Sequence, residues 1–215
     1  MNILLGYSES VLSRVIDVLQ ATDEVIALQI IQNIPVETVM DYCPTTISSE
    51  IILHSHWQPS EQDQYLFSVA TPSIKKLLFD FFVNEKKINP EQFRKLVHPS
   101  AIISSSVSAG KGLFVEPGSI ITSYTSLGFG VTVNRNVSIG HHCTIGDFVT
   151  INPGVNMAGH CTIGNGVQIG IGATVFDHIS IGEGSVIGGG SVVTKNIPAG
   201  VKAWGNPCKV VASIN

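Results

Sequence analysis

The sequence predicts a parallel β-helix preceded by a small α/β unit, and three observations carry that fold class. From Val97 to Val193 an apolar residue stands at every sixth position without a slip: Val97, Ile103, Ala109, Val115, Ile121, Leu127, Val133, Ile139, Ile145, Ile151, Met157, Ile163, Ile169, Val175, Ile181, Ile187 and Val193. A helix repeats at 3.6 residues and a strand at 2, so neither produces this series, whereas stacked short coils do. Around it, the next residue is often glycine (Gly110, Gly128, Gly140, Gly146, Gly164, Gly170, Gly182, Gly188). Four places on stands a small or β-branched side chain, such as Val137, Cys143, Val149 or Cys161. Residues 1–96 follow a different pattern of strand, helix and strand.

In chain order, Asn2–Leu5 reads as a buried strand ending at Gly6, and Val11, Leu12, Val15, Ile16 and Leu19 have helical spacing. Glu24–Ile31 reads as a second strand and Gln64–Ala70 as another. Thr71-Pro72 opens a helix from Ser73 to Lys86, proline being suited to a first turn. The stretch Pro35–Glu61 reads as irregular. Strand–helix–strand order implies a small parallel sheet, placing an α/β domain at 1–96. The six-residue period begins beside His98-Pro99-Ser100-Ala101, placing a β-helix at 97–195 and a closing segment at 196–215. Three hexapeptides make one triangular coil, with the repeat aliphatic inside, glycine and asparagine at the corners, and coils about 4.8 Å apart. Seventeen repeat positions give between five and six coils. Between 97 and 193 the only charges are Lys111, Glu116, Arg135, Asp147, Asp177 and Glu183, so a face of the prism is expected to be covered by neighbouring subunits.

Composition narrows the class. The chain has 215 residues, 44% hydrophobic content and a net charge of −4, without a run of lysine and arginine. Nucleic acid and anionic membranes are therefore not expected partners. Met1-Asn2-Ile3-Leu4-Leu5-Gly6 carries no basic leader and too short an apolar run for a signal peptide, which implies a cytoplasmic protein. Cys43, Cys143, Cys161 and Cys208 show no C-x-x-C pairing; Cys143 and Cys161 stack in adjacent coils and read as small buried hydrophobes.

The hexapeptide series resembles the left-handed β-helix, or hexapeptide-repeat, acyltransferases. The left-handedness comes from the resemblance and departs from the usual crossover rule. The resemblance implies a homotrimer with acyl-CoA between two prisms. With an α/β (Rossmann-like) sheet in front, the layout is similar to bacterial N-acetyltransferases of nucleotide-linked amino sugars, and equally to sialic-acid-pathway O-acetyltransferases. In those families the first strand ends in a Gly-x-x-Gly-His turn that cradles phosphates. Here the turn is Gly6-Tyr7-Ser8-Glu9-Ser10, with Glu9 for the second glycine and Ser10 for the histidine. The N–H groups of the following helix start still attract an anion, so Gly6, Ser8 and Ser10 are candidate substrate residues. The family's acidic residues after the second strand have no counterpart in Gln29-Ile30-Ile31-Gln32-Asn33.

The stretch Asn134 to Phe148 resembles the family's catalytic segment, an asparagine followed seven residues later by the basic histidine. On that resemblance His141 is the general base and Asn134 meets substrate. A near-neutral imidazole accepts the proton of an amine or hydroxyl attacking a thioester, with no acyl-enzyme. The family's next residue is Glu or Asp; here it is His142. His142, His160 and His178 recur every eighteen residues, so they stack at one corner, continuing from Tyr124. Three roles stay open for the column: a neutral ladder orienting His141, a wall of the CoA cleft, or a metal site as in β-helical carbonic anhydrases. The carbonic-anhydrase arrangement pairs histidines five apart, and the residues here are Gly146, Asp147, Asn165 and Glu183, so no metal is expected.

Register carries over further positions. Gly159, one coil past His141, is a candidate oxyanion donor and CoA contact. Ile171 and Gly189 match contacts to the pantetheine arm, and Thr150 stands where relatives place a CoA-touching histidine. Trp204-Gly205-Asn206-Pro207-Cys208-Lys209-Val210 resembles the family's closing turn, with Lys209 toward a CoA phosphate. The implied activity is acetyl-CoA-dependent acetylation of the amine of a nucleotide-activated amino sugar for surface glycans. Alternatives are O-acetylation of a sugar, sialic-type acid, serine or drug, a γ-class carbonic-anhydrase-like metalloenzyme, and a non-catalytic scaffold.

Overall fold

The computed structural model describes residues 1–22, 27–31 and 48–214. Its first part is a four-stranded parallel sheet ordered β3-β2-β1-β4, with β1 Asn2–Leu5, β2 Ala27–Ile31, β3 Ser48–Ile52 and β4 Gln64–Phe67. The two helices are α1 Glu9–Ala21 and α2 Pro72–Asn84. The sheet is the one expected, with one addition. The edge strand β3 lies inside the stretch read as irregular, because Ser48-Ser49-Glu50 carries no alternating pattern and half its length is polar. The expected strand residues Glu24, Val25 and Ile26, and Cys43, lie outside the described residues.

Ile3 and Leu5 face one side of the sheet and join Tyr65, Phe67, Leu78, Phe82 and Phe93. Leu4 faces the other side with the apolar stripe of α1, Val11, Leu12, Val15 and Leu19. Alternation along β1 therefore sends successive residues to two separate cores.

Seventeen two-residue strands follow among the described residues, from Leu96–Val97 to Val192–Val193. From Leu96–Val97 through Thr174–Val175 each pairs in parallel with the strand eighteen residues on, for example Ser138↔Asn156 and Ile139↔Met157. Three sheets result, and the repeat aliphatics from Val115 to Val193 form one continuous core. A hairpin of Val201–Trp204 and Lys209–Ser213 closes the last coil. Three thiols belong to that core: Cys143 and Cys161 at 1% exposure and Cys208 at 9%.

Two glycine columns have different causes. Every sixth residue from Gly112 to Gly190 has φ between 56° and 71°, the left-handed corner position. Glycine fills most of these corners, but Tyr124, Asn136, His142, Phe148, His160 and His178 fill the rest, a wider range than glycine and asparagine alone. The glycines directly after the repeat aliphatics serve another end. A Cβ on Gly140 would lie 2.5 Å from the carbonyl carbon of Ala158 in the next coil, so hydrogen is the only side chain that fits the coil spacing.

The front unit packs on the prism. Phe114, Thr132 and Thr150, outward positions of one sheet, are buried beneath it, as is Leu96. The expectation that other subunits cover the prism is thus met in part by the chain itself. Lys75 on α2 is fully buried and donates to the Gly130 carbonyl (2.8 Å) and Thr132 Oγ1 (3.1 Å). Burial holds its ammonium pKa down to about 7. Arg14 on α1 pairs with Glu116 (2.5 Å), which is 2% exposed. Phe67, Phe79 and Phe93 interlock with Phe129 and Phe148 of one prism corner at centroid separations of 4.8–6.4 Å. No helix among the described residues is long and apolar enough to cross a membrane.

Candidate active site

The corner between Ser138–Ile139 and Thr144–Ile145 gathers the titratable side chains. Its i+2 position along successive coils is His141, Gly159 and Asp177; its left-handed i+3 position is Tyr124, His142, His160 and His178. Because the coil repeats in register, the side chains of one column must stack. His142 and His160 do so at 5.0 Å and 17°, His160 and His178 at 4.7 Å and 2°, and Tyr124 tilts onto His142 at 5.0 Å. The column read from the eighteen-residue spacing is present as drawn.

His141 crosses that column edge-on, 5.2 Å from His142 and 5.0 Å from His160, at 89° and 90°. Its Nδ1 lies 3.0 Å from His142 Nδ1, so one ring donates and the other accepts. The room for this comes from the next coil. A Cβ on Gly159 would sit 2.9 Å from His141 Cε1 and 3.0 Å from Nε2, so the imidazole rests against a bare backbone. His141, His142 and His160 are all exposed. Lost hydration pushes the His160 pKa down, and the neighbouring imidazoles of His178, His141 and His142 push it the same way. The nearest acid is Asp177, 3.8 Å from His178.

Two of the expected site residues are structural. Thr150 is 1% exposed and its hydroxyl donates to the Ala70 carbonyl (2.7 Å), so it ties the front unit to the prism and is not open to CoA. Asn134, also 1% exposed, donates to the Ile151 carbonyl (2.8 Å) and accepts from Arg14, which leaves it no free face for substrate. Both lie under a front unit whose docking no hexapeptide register reveals.

Ile171 is 61% exposed and packs on Gly189, where a Cβ would lie 3.1 Å from Ile171 Cγ2. They occupy the corner between Gln168–Ile169 and Thr174–Val175, across the six-stranded face from His141. Between the corners runs a shallow groove of about 340 Å³ lined by Ser138, Asn156, Ala158, Thr174, Phe176 and Asp177 among others. Lys209 is exposed on the closing hairpin. Gly6 takes φ 84° and Ser8 caps α1 without a side-chain bond, its Oγ 3.4 Å from Ser10 Oγ. Ser8, Glu9, Ser10 and Ser13 line an open concavity at that helix start.

A family model for the bacterial transferase hexapeptide (six repeats) matches residues 160–195. Solved structures match nearly the whole chain. A mutant of perosamine N-acetyltransferase from Caulobacter crescentus, in complex with CoA and GDP-perosamine, is 20% identical, with 99% of this chain and 98% of that one covered and a TM-score of 0.79. The acetyltransferase domain of PglB from Neisseria gonorrhoeae in complex with acetyl coenzyme A is 23% identical, with 98% of each chain covered and a TM-score of 0.82. WeeI from Acinetobacter baumannii is 22% identical, covering 98% of this chain and 100% of that chain at a TM-score of 0.81. No curated protein matches by sequence. The chain carries a hexapeptide-repeat match over residues 160–195 and has the fold of these structures, a small α/β parallel sheet followed by a left-handed parallel β-helix.

Proposed function

We propose that the protein transfers the acetyl group of acetyl-CoA to the amine of a nucleotide-linked amino sugar, with His141 as general base. The observation that carries this is the seating of the exposed His141 imidazole directly on Gly159. The candidate base and the candidate oxyanion donor are thereby adjacent, from sequence positions eighteen apart. His141 takes the proton from the amine as its nitrogen attacks the thioester carbonyl. The Gly159 N–H meets the developing oxyanion, and collapse expels the CoA thiolate, which is then protonated. No covalent enzyme intermediate is needed.

Solved structures of this fold hold CoA and GDP-perosamine in one case and acetyl coenzyme A in another, which supports the substrate class. The concavity at Ser8 and Ser10, at the positive end of α1, suits the nucleotide phosphates. His141 and the Ile171–Gly189 pair lie on opposite edges of one prism face. A cleft between two copies would bring one copy's His141 corner to another's proposed pantetheine corner, and this supports a homotrimer.

The test is acetyl transfer followed by mass spectrometry across UDP-, dTDP- and GDP-linked amino sugars. His141→Ala is expected to lower kcat by roughly 10²–10⁴-fold with CoA affinity nearly unchanged. Turnover retained in His141→Ala and lost in His142→Ala would move the base by one residue; no transfer to any sugar amine would overturn the reading.

A further inference from the structure

We propose that His141, His142 and His160 form a surface site for one divalent cation of the Zn²⁺ class, which occupies the His141 lone pair and blocks proton acceptance. The blocking rests on the acyltransferase reading; the binding does not.

The three ring centroids form a nearly equilateral triangle of 5.2, 5.0 and 5.0 Å. One nitrogen from each ring lies within 4.8 Å of the others, and all three rings face solvent. Around a tetrahedral Zn²⁺ with Zn–N distances of about 2.0–2.1 Å, ligand nitrogens stand roughly 3.3 Å apart. His141 Nδ1 and His142 Nδ1, at 3.0 Å, are already near that separation. The remaining closure needs His142 and His160 to turn out of their stack, which exposed side chains with two free torsions allow.

The backbone beneath is fixed. His142 N donates to the Ser123 carbonyl and His160 N to the His141 carbonyl, both at 2.9 Å, and both residues hold the left-handed corner conformation. Gly159 supplies the third condition, since any side chain there would push His141 away from His160. Three neutral imidazoles without a carboxylate select borderline ions such as Zn²⁺, Ni²⁺ or Cu²⁺ over Mg²⁺ and Ca²⁺. The fourth position stays open to water. A cation so held takes the electron pair that the base reaction uses, so it acts as a reversible inhibitor, without a part in the chemistry.

The experiment is titration of the chelator-treated full-length protein with Zn²⁺ by calorimetry, and with Co²⁺ by visible absorption. One ion per chain is expected, with the d–d bands of nitrogen-ligated, low-coordinate Co²⁺. His160→Gln should weaken binding at least about tenfold, while His98→Gln and Cys43→Ser leave it unchanged. In the acetyl-transfer assay Zn²⁺ should inhibit and chelator should restore the rate. For His160→Gln, relative to its own metal-free rate, the inhibition curve should move to higher Zn²⁺ by the same factor. Circular dichroism establishes that each variant is folded. Unsaturable binding, or His160→Gln binding as tightly as the native chain, overturns the site. Absence of acetyl transfer in every protein overturns the functional reading and leaves the cation titration to decide the site by itself.

Discussion

Two neighbouring residues show how little side chain separates a proposed catalytic position from a structural one. Gly159 lies in the i+2 column outside the left-handed region, so its backbone does not require glycine; the His141 imidazole above it does. Gly159→Ala places a methyl 2.9 Å from His141 Cε1, and the ring must swing aside. Displacement of a catalytic group by about an ångström costs about 10²-fold. Steady-state kinetics should therefore show kcat for Gly159→Ala falling on that order, while its Tm moves by less than about 2 °C, as for surface changes generally. An equal loss of Tm and activity would make Gly159 a folding residue only. His142 is the converse, a side chain at a corner with φ 57° where glycine is the easier residue. His142→Gly is expected to keep or raise Tm, and His142→Val to lower stability by about 1–2 kcal/mol through left-handed strain. Chemical denaturation of the two variants checks this.

At the scale of elements, the decisive contact is α2 against the prism. Lys75 carries a side chain whose folded pKa, about 7, lies far below its ordinary value near 10.5. Between those values the unfolded chain binds a proton that the folded chain does not, so stability rises with pH across that window. Below about pH 7 both states are protonated and the full cost of burying the ammonium is present. Denaturation midpoints should climb from pH 7 to pH 10 in the native protein, and Lys75→Met should flatten that climb. A native profile that is level or falling over this range would show the ammonium to be charged in place. This contact also marks where the sequence stops being readable. The six-residue period is a local code, repeated often enough to determine the prism, its register and the Tyr124–His178 column. Arg14, Lys75, Thr150 and Asn134 depend on how two units with unrelated periods meet, and no residue spacing encodes that. β3 escapes sequence reading for a different reason, since Ser48-Ser49-Glu50 is a polar run without alternation. The histidine corner was legible because its parts lie one coil apart; the burial of Thr150 and Asn134 was not, because their covering comes from the front unit.

For the whole molecule, the remaining question is what covers the six-stranded face. Among the described residues, the front unit shields the face that carries Phe114, Thr132 and Thr150 and leaves this one bare. Ile102 is 64% exposed on it, Ile120 40%, and Phe176 48% at its His141 edge, with Asp177 the nearest acid there. A strip with few charges and exposed isoleucines at one end fits an association surface. The occupant that fits is a second copy, because the two proposed half-sites stand on its opposite edges. Light scattering should then give a trimeric mass for the native protein. Ile120→Arg, which puts a charge beside Ile102 at the apolar end of that strip, should shift the mass toward the monomer. CoA that binds only between copies stabilises by mass action, about 2.7 kcal/mol at a hundredfold excess over Kd. That shift in melting temperature should accompany the native trimer and vanish with Ile120→Arg, although Ile120 belongs to neither half-site. If Ile120→Arg becomes monomeric and CoA still raises its melting temperature in full, the CoA site lies within one prism and the cleft between copies is not its place.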